Sequence, residues 1–181
     1  KVEMTVDFKD RESMTNTEYY PWPLEKENIN LKDGLIFKSE EIIEDLIING
    51  SFFGNLELSI NKKDVDYSVI AYQLTPEGKY FHLSYYIGRA SYAKDREHRN
   101  LLTPNQKTQV SFNNSKLISK KIEKGSRIII VVNVNKNSNA QINYGTGKDV
   151  NIENIRDAEI PLKIIFTGNS SISLPIWNSR K

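Results

Sequence analysis

Apolar and polar residues alternate along most of this chain with a period of two residues. In the run 80–87, every second residue from Phe81 to Ile87 is apolar, and similar runs are separated by glycine, proline or asparagine. Alternation of this kind predicts strands with one buried face and one exposed face. We predict a strand that begins at residue 35 and further strands at 45–48, 51–60, 67–74, 80–87, 109–112, 117–122, 127–134, 160–167 and 171–176.

Two stretches depart from simple alternation. The run 128–132 is apolar at every position, which is typical of a central strand that is covered on both faces. Residues 93–100 are highly charged and predict either one exposed helical turn or a loop. At least eight strands, with no convincing amphipathic helix of normal length, predict an all-β sandwich.

The first 34 residues are polar and irregular, so we assign 1–34 to a linker or extended N-terminal arm and 35–181 to the sandwich. The aromatic stretch from Tyr19 to Pro23 either packs against this domain's own sandwich or contacts an upstream domain. The chain starts at Lys1 without an initiator methionine or a signal-like apolar stretch. We therefore expect it to be a piece of a longer polypeptide.

Composition excludes several classes of protein and site. The chain has 181 residues, no cysteine and a formal net charge of +2, so it holds no disulfide and no thiolate metal site. Neither sign of charge forms a long block, which argues against nucleic-acid binding. No apolar run approaches the roughly 20 residues that span a bilayer. The compartment stays open, either cytoplasmic or exported.

A catalytic constellation is missing from the sequence. A serine hydrolase needs a nucleophilic serine on a G-x-S-x-G turn, a histidine base and a carboxylate, and this chain contains no G-x-S-x-G. His82 and His98 are its only histidines, and neither has an evident serine or aspartate partner. We expect both to be surface or interface histidines and expect no catalytic residue and no cofactor.

Three groups of polar residues are candidates for binding or structural roles. Asp64 and Asp66 fit either alternate calcium ligands or, as we favour, structural caps that accept backbone N–H bonds at a strand start. The sequence GTGK at 145–148 resembles a phosphate loop but lacks the first glycine and the final Ser or Thr. We assign this loop to a glycine-permitted turn, and we expect no metal site. Arg89 fits either a carboxylate clamp across a domain boundary or an ordinary surface ion pair.

The order of these motifs resembles one known family. The segment 64–92 has Asp-x-Asp before a strand, a turn at Pro76 to Gly78, and a second strand ending in Arg-Ala. The same elements occur in the C-terminal jelly-roll domain of X-Pro dipeptidyl-peptidases and cocaine-esterase-type (CocE/NonD) serine hydrolases. Further matches are Leu-Thr-Pro at 102–104, Gly125 with Arg127, the loop NYGTGKD at 143–149, and SISLPIW at 171–177. One departure is Ser126, where the family usually has histidine.

This resemblance implies a fold and a role. It implies a jelly-roll sandwich of two antiparallel sheets, similar to galactose-binding domains, which packs on an upstream α/β-hydrolase domain of the same, bacterial polypeptide. The parent would be an esterase, an amidase or an X-Pro dipeptidyl-peptidase, while this chain would be non-catalytic. Interdomain or pocket-border candidates are Arg89, Tyr92, Arg96, Asn143, Tyr144 and Thr146, and structural turn or cap residues are Asp64, Asp66, Gly78 and Gly125.

A second hypothesis is a free-standing carbohydrate-binding module, because one fold serves many functions. Exposed aromatic side chains would stack on sugar rings in that case. The oligomeric state, including a homo-oligomer, and the parent's substrate are left open by the sequence. The aromatic candidates for sugar stacking are Trp22, Tyr80, Tyr86, Tyr92, Tyr144 and Trp177.

Overall fold

The computed structural model describes residues 1–10, 24–29, 34–136 and 140–177, and within them it contains strands and short 3-10 turns but no α-helix. The strands are β1 Val2–Val6, β2 Glu25–Lys26, β3 Gly34–Lys38, β4 Leu46–Gly50, β5 Phe53–Ile60, β6 Asp66–Leu74, β7 Tyr80–Arg89, β8 Thr108–Phe112, β9 Ile118–Ile122, β10 Arg127–Val134, β11 Leu162–Phe166, β12 Ser171–Ser173 and β13 Ile176–Trp177. The 3-10 helices are Ala90–Tyr92 and Ile155–Ala158.

The strands form antiparallel sheets, which confirms the predicted all-β fold. One five-stranded sheet has the order β1-β11-β5-β12, with β8 also paired to β5. A second has the order β2-β7-β6-β10-β3. A third sheet of three strands, β13-β4-β9, is additional to the two sheets that the family resemblance implies. The jelly-roll connectivity stays a prediction.

The main core lies between the two five-stranded sheets. Alternate residues of β10 point into it, and so do those of β5 from Leu56 to Ile60. The other face of β10 is also covered, because Ile129 and Val131 form a small separate cluster with Tyr72. The apolar run at 128–132 is therefore buried on both faces, as predicted.

The start of the sandwich differs from the sequence prediction. Strand β1 pairs along its whole length with β11, and Met4, Val6 and Phe8 are buried in the core, although 1–34 was assigned to a linker or arm. The alternation is present in these residues, but its partner strand lies about 160 positions away and cannot be seen locally. The whole stretch from Tyr19 to Pro23, including Trp22, lies outside the described residues.

Two further regions have a different local structure from the one expected. The last predicted strand is split into β12 and β13, since Leu174 and Pro175 interrupt it, and proline cannot donate to a ladder. The charged segment 93–100 contains bends and turns after the 3-10 helix, so the loop alternative describes it. Across the described ranges, no helix has the length and hydrophobicity to cross a lipid bilayer.

Candidate functional site

A fully buried carboxylate, Asp64, lies in the connection between β5 and β6. Its Oδ1 accepts hydrogen bonds from the backbone N–H groups of Val65 and Ser91, both at 2.9 Å. Its Oδ2 accepts from the Ser91 hydroxyl at 2.7 Å and from Arg99 Nη2 at 2.9 Å. Asp64 therefore joins the start of β6 to the beginning and the middle of the loop that follows β7.

The second carboxylate, Asp66, begins β6 directly opposite Arg89 of β7. The Arg89 guanidinium binds both carboxylate oxygens of Asp66: its Nε–H donates to Oδ1 at 2.7 Å and its Nη2–H donates to Oδ2 at 2.9 Å. This is the bidentate geometry of an arginine–carboxylate pair. The hydrogen bonds that Arg89 donates to Asp66 raise the pKa of Arg89 above its usual range. Asn143 Nδ2 donates to the same Oδ1 at 2.8 Å. The Arg89 guanidinium therefore forms its ion pair with a carboxylate of this same domain.

The glycine loop closes over the two aspartates. Asn143 Oδ1 accepts from the N–H of Gly145 at 2.9 Å, and the Gly145 carbonyl accepts from the N–H of Lys63 at 2.9 Å. Arg99 Nη1 donates to the Lys148 carbonyl at 2.5 Å. Gly145 has a φ of +78°, and an added Cβ would lie 2.6 Å from the Asp64 carbonyl oxygen. We call Asp64, Asp66, Arg89, Ser91, Arg99 and Asn143, with this loop, the aspartate network.

Tyr144 and Thr146 are held by a residue farther along the chain. Glu153 accepts the backbone N–H of Tyr144 at 2.8 Å and that of Thr146 at 2.9 Å, and it also accepts the Thr146 hydroxyl. The Tyr144 ring is buried against Phe8 with ring centroids 5.5 Å apart. The expectation that Tyr144 is exposed for sugar stacking is therefore wrong, because its ring belongs to the core.

Tyr92 and Arg96 lie apart from the aspartate network, on an open groove of about 690 Å³. Tyr86 also borders this groove, while Tyr80 is half-buried against the small cluster on the outer face of its sheet and Trp177 is exposed on β13. Arg96 Nη2 donates to Asn113 Oδ1 at 2.8 Å across its rim. The sequence candidates thus divide into a buried network and an exposed groove.

The two predicted turn glycines lie together at another place in the fold. Gly78 and Gly125 each have a φ of +87°, and an added Cβ on Gly125 would contact Pro76 at 3.4 Å. Next to them, Ser126 is fully buried and accepts from Gln73 Nε2 at 2.9 Å. The small hydroxyl at this position therefore accepts a hydrogen bond from a buried glutamine side chain.

Sequence reasoning missed two members of the network, Ser91 and Arg99, and also Glu153, which binds the backbone of its loop. None of the three is among the site candidates predicted from the sequence. The available signal was the Arg-Ala-Ser sequence directly after a strand that faces Asp-x-Asp, because antiparallel pairing brings those ends together. No comparable signal marks Arg99, which reaches Asp64 from a charged loop.

The two histidines and the lysine of the GTGK sequence have local partners in the described part of the chain. His98 Nδ1 lies 2.9 Å from Asp95 Oδ2 in an exposed turn, and the His82 ring packs edge-on against Tyr72. Within the described ranges, neither histidine is hydrogen-bonded to a serine, and no group of three or more His, Cys, Asp or Glu is placed to hold a metal ion. Lys148 of the GTGK sequence forms an ion pair with Asp157 at 2.8 Å.

The fold is a β-sandwich of antiparallel sheets that contains this network of buried polar side chains. Residues 4–162 match the model of the X-Pro dipeptidyl-peptidase C-terminal non-catalytic domain, so the chain belongs to that family. A search of curated protein sequences finds no match.

Solved structures share the fold. An aminopeptidase from a marine sediment Thaumarchaeota archaeon has a TM-score of 0.73 and 18% identity, over 80% of this chain and 26% of its own. An alpha-amino acid ester hydrolase has a TM-score of 0.73 and 22% identity, over 80% of this chain and 25% of its own. A CocE/NonD family hydrolase from Staphylococcus aureus has a TM-score of 0.60 and 14% identity, over 98% of this chain and 33% of its own. The chain therefore spans a quarter to a third of these proteins.

Proposed function

We propose that this chain is the accessory domain of a serine hydrolase and packs on an α/β-hydrolase domain that precedes it in the same polypeptide. The observation that carries this proposal is the match to a non-catalytic C-terminal domain over residues 4–162. The similar solved structures support it, because their printed names are those of an aminopeptidase, an ester hydrolase and a CocE/NonD hydrolase. Acyl transfer on an ester or amide is the reaction class of the proposed parent.

The aspartate network supports a role as a rigid scaffold rather than a reacting group. Every carboxylate oxygen of Asp64 and Asp66 already accepts hydrogen bonds from the domain itself. Charge-assisted bonds of this kind hold loops in one geometry. Their effect is to fix the loop after β7 and the loop 143–148, so that one end of the sandwich presents a defined surface.

Exposed apolar side chains surround this end of the sandwich and support its assignment as the docking surface. An added Cβ at Gly147 would lie 3.1 Å from the Leu101 side chain, and Ile160 lines a cleft with Gly145 and Thr146. Contiguous exposed apolar groups mark interaction sites. The four large apolar side chains here are Leu101, Ile152, Ile155 and Ile160, which are 43%, 66%, 43% and 65% exposed. On this proposal Asn143, Tyr144 and Arg89 act from beneath the contact, and Thr146 lies at its border.

Charged substitutions at this surface test the docking. In the native polypeptide, Leu101→Glu combined with Ile160→Glu is expected to weaken the contact between the domains by about 2 kcal/mol or more, because charges replace two apolar groups that the proposed contact buries. Calorimetry should show a lower thermal midpoint and a separate transition for this domain. Proteolysis at the domain junction should become faster.

A matched control is Ile43→Glu, since Ile43 is 80% exposed and lies between β3 and β4. This variant is expected to keep the single transition of the native polypeptide. If the double variant and the control have equal thermal midpoints, the docking surface is elsewhere. If neither the native polypeptide nor its variants react with a fluorophosphonate serine probe, the parent is not a serine hydrolase.

A further inference from the structure

The open groove beside the network has a lining that selects a particular ligand chemistry. The rings of Phe53, Tyr86 and Tyr92 border it, together with two cations, Lys94 and Arg96. Among the described residues that line it, none carries a carboxylate. The lining also contains amide and hydroxyl side chains, which are those of Asn55, Ser111, Asn113, Ser171 and Ser173.

The shape of the groove is fixed by packing beneath it. Tyr86 stacks on Phe112 with ring centroids 4.8 Å apart and an angle of 27°. Two glycines make room for these rings, because an added Cβ would lie 2.7 Å from the Phe112 ring at Gly54 and 2.6 Å from the Tyr86 ring at Gly88. An aromatic surface held in this way loses little conformational entropy when a ligand binds.

Polar groups at the rim remain able to bind a ligand. Arg96 uses Nη2 for Asn113, and a guanidinium has five N–H donors in all. Lys94 is exposed. Ser111 donates to Asn55 Oδ1 at 2.9 Å, which orients the Asn55 amide so that its NH₂ group faces away from that bond. The groove thus offers donors next to an apolar ring surface.

The geometry points to a binding site for an acidic oligosaccharide, one built from uronic acid units, in this groove. The apolar face of a pyranose ring fits against Tyr92 and Phe53, and its hydroxyls match the amides and hydroxyls of the lining. The uronate carboxylate is bound by Arg96 and Lys94. Binding here is an addition to the scaffold role, and it requires the groove to stay open beside the docked hydrolase domain.

Two other ligand classes fit the groove less well. An extended peptide would bind by adding to a strand edge. Strand β5 has no free edge at Asn55, where it pairs with Ser111 and with Ser171, so a peptide would have to add at β8 or β12, on the margin of the groove. A nucleic acid would need a larger cluster of cations than Lys94 and Arg96. A neutral sugar would offer no carboxylate to the two cations.

Isothermal titration calorimetry of the native polypeptide with hexagalacturonate and hexaguluronate tests the site. Saturable binding of at least one of them is expected. The combined variant Lys94→Gln and Arg96→Gln should weaken it about tenfold or more, since two charge-assisted contacts are lost. Tyr92→Ala should weaken it about fivefold through loss of ring contact, and Lys38→Gln on β3 should bind like the native protein.

Each other outcome overturns the proposal. The site is not selective for acidic sugars if methyl-esterified hexagalacturonate binds as tightly as the free acid. It is a peptide site if hexaglutamate binds as tightly as the uronates. The groove is not a sugar site if neither uronate binds, or if the groove variants bind like the Lys38→Gln control. The thermal midpoint of each variant is measured as a control. If it equals that of the native protein, a folding defect does not explain the loss of binding.

Discussion

Replacing Asp64 with asparagine is expected to lower the free energy of unfolding by about 3 to 4 kcal/mol, because it breaks a buried ion pair from one side. Asp64 has no exposed surface and accepts hydrogen bonds from Ser91 and Arg99. An asparagine NH₂ group on the Oδ2 side would face the N–H donor of Arg99. The Arg99 guanidinium, whose side chain is only 20% exposed, would then lack its charge partner.

Urea denaturation followed by tryptophan fluorescence and circular dichroism measures this loss. Glu97→Gln is the matched control, because Glu97 is an exposed carboxylate in the same loop, and its effect should stay within about 0.5 kcal/mol. A loss of less than 1 kcal/mol for Asp64→Asn would show that the buried pair does not hold the loop after β7. The slope of the unfolding transition should be the same for all three proteins, so that the midpoints compare directly.

Gly145→Ala is expected to cost about 2 to 3 kcal/mol, for two reasons that add. The residue has a φ of +78°, where any Cβ is strained, and its Cβ would lie 2.6 Å from the carbonyl oxygen of Asp64. A backbone oxygen cannot move aside as a flexible side chain can. The loop would therefore be displaced from the aspartates that it covers.

Gly78→Ala separates the two reasons. Gly78 has a similar φ of +87°, but nothing lies within 4 Å of an added Cβ. Its alanine variant should cost only about 1 kcal/mol, which is the backbone strain alone. Equal losses at the two glycines would mean that close contact with Asp64 contributes nothing. Urea midpoints of the two variants, measured together, decide this.

The sequence predicted the local part of this structure well. Each predicted strand has a counterpart, and the doubly covered strand β10 followed from five apolar residues in a row. Alternation is a property of neighbouring residues, so it is visible without the fold. The strand β1 was missed because its role depends on pairing with β11, and the break at Pro175 was missed because the apolar pattern continues through it.

Four of the six side chains of the aspartate network were predicted from the sequence, but their geometry was not. Asp64, Asp66, Arg89 and Asn143 were all singled out, yet the sequence does not show that Asp66 occupies the Arg89 fork or that Arg99 reaches Asp64. These contacts join residues 23 and 35 positions apart. Tyr144 shows the same limit, since a tyrosine in a glycine loop looks exposed until Phe8 of the N-terminal strand region is packed against it. The sequence also does not show that Tyr92 and Arg96 line a groove, because the other residues of that groove come from distant strands.

The central claim is that this domain works as part of a serine hydrolase, and the mass of the native polypeptide tests it most directly. An antibody against this chain, used on extracts of the source cells treated with a fluorophosphonate probe, should capture one species for intact mass spectrometry. The account predicts a mass far above the 20.9 kDa of this chain and one bound probe on a serine outside residues 1–181. A native species of 20.9 kDa that carries no probe would contradict it.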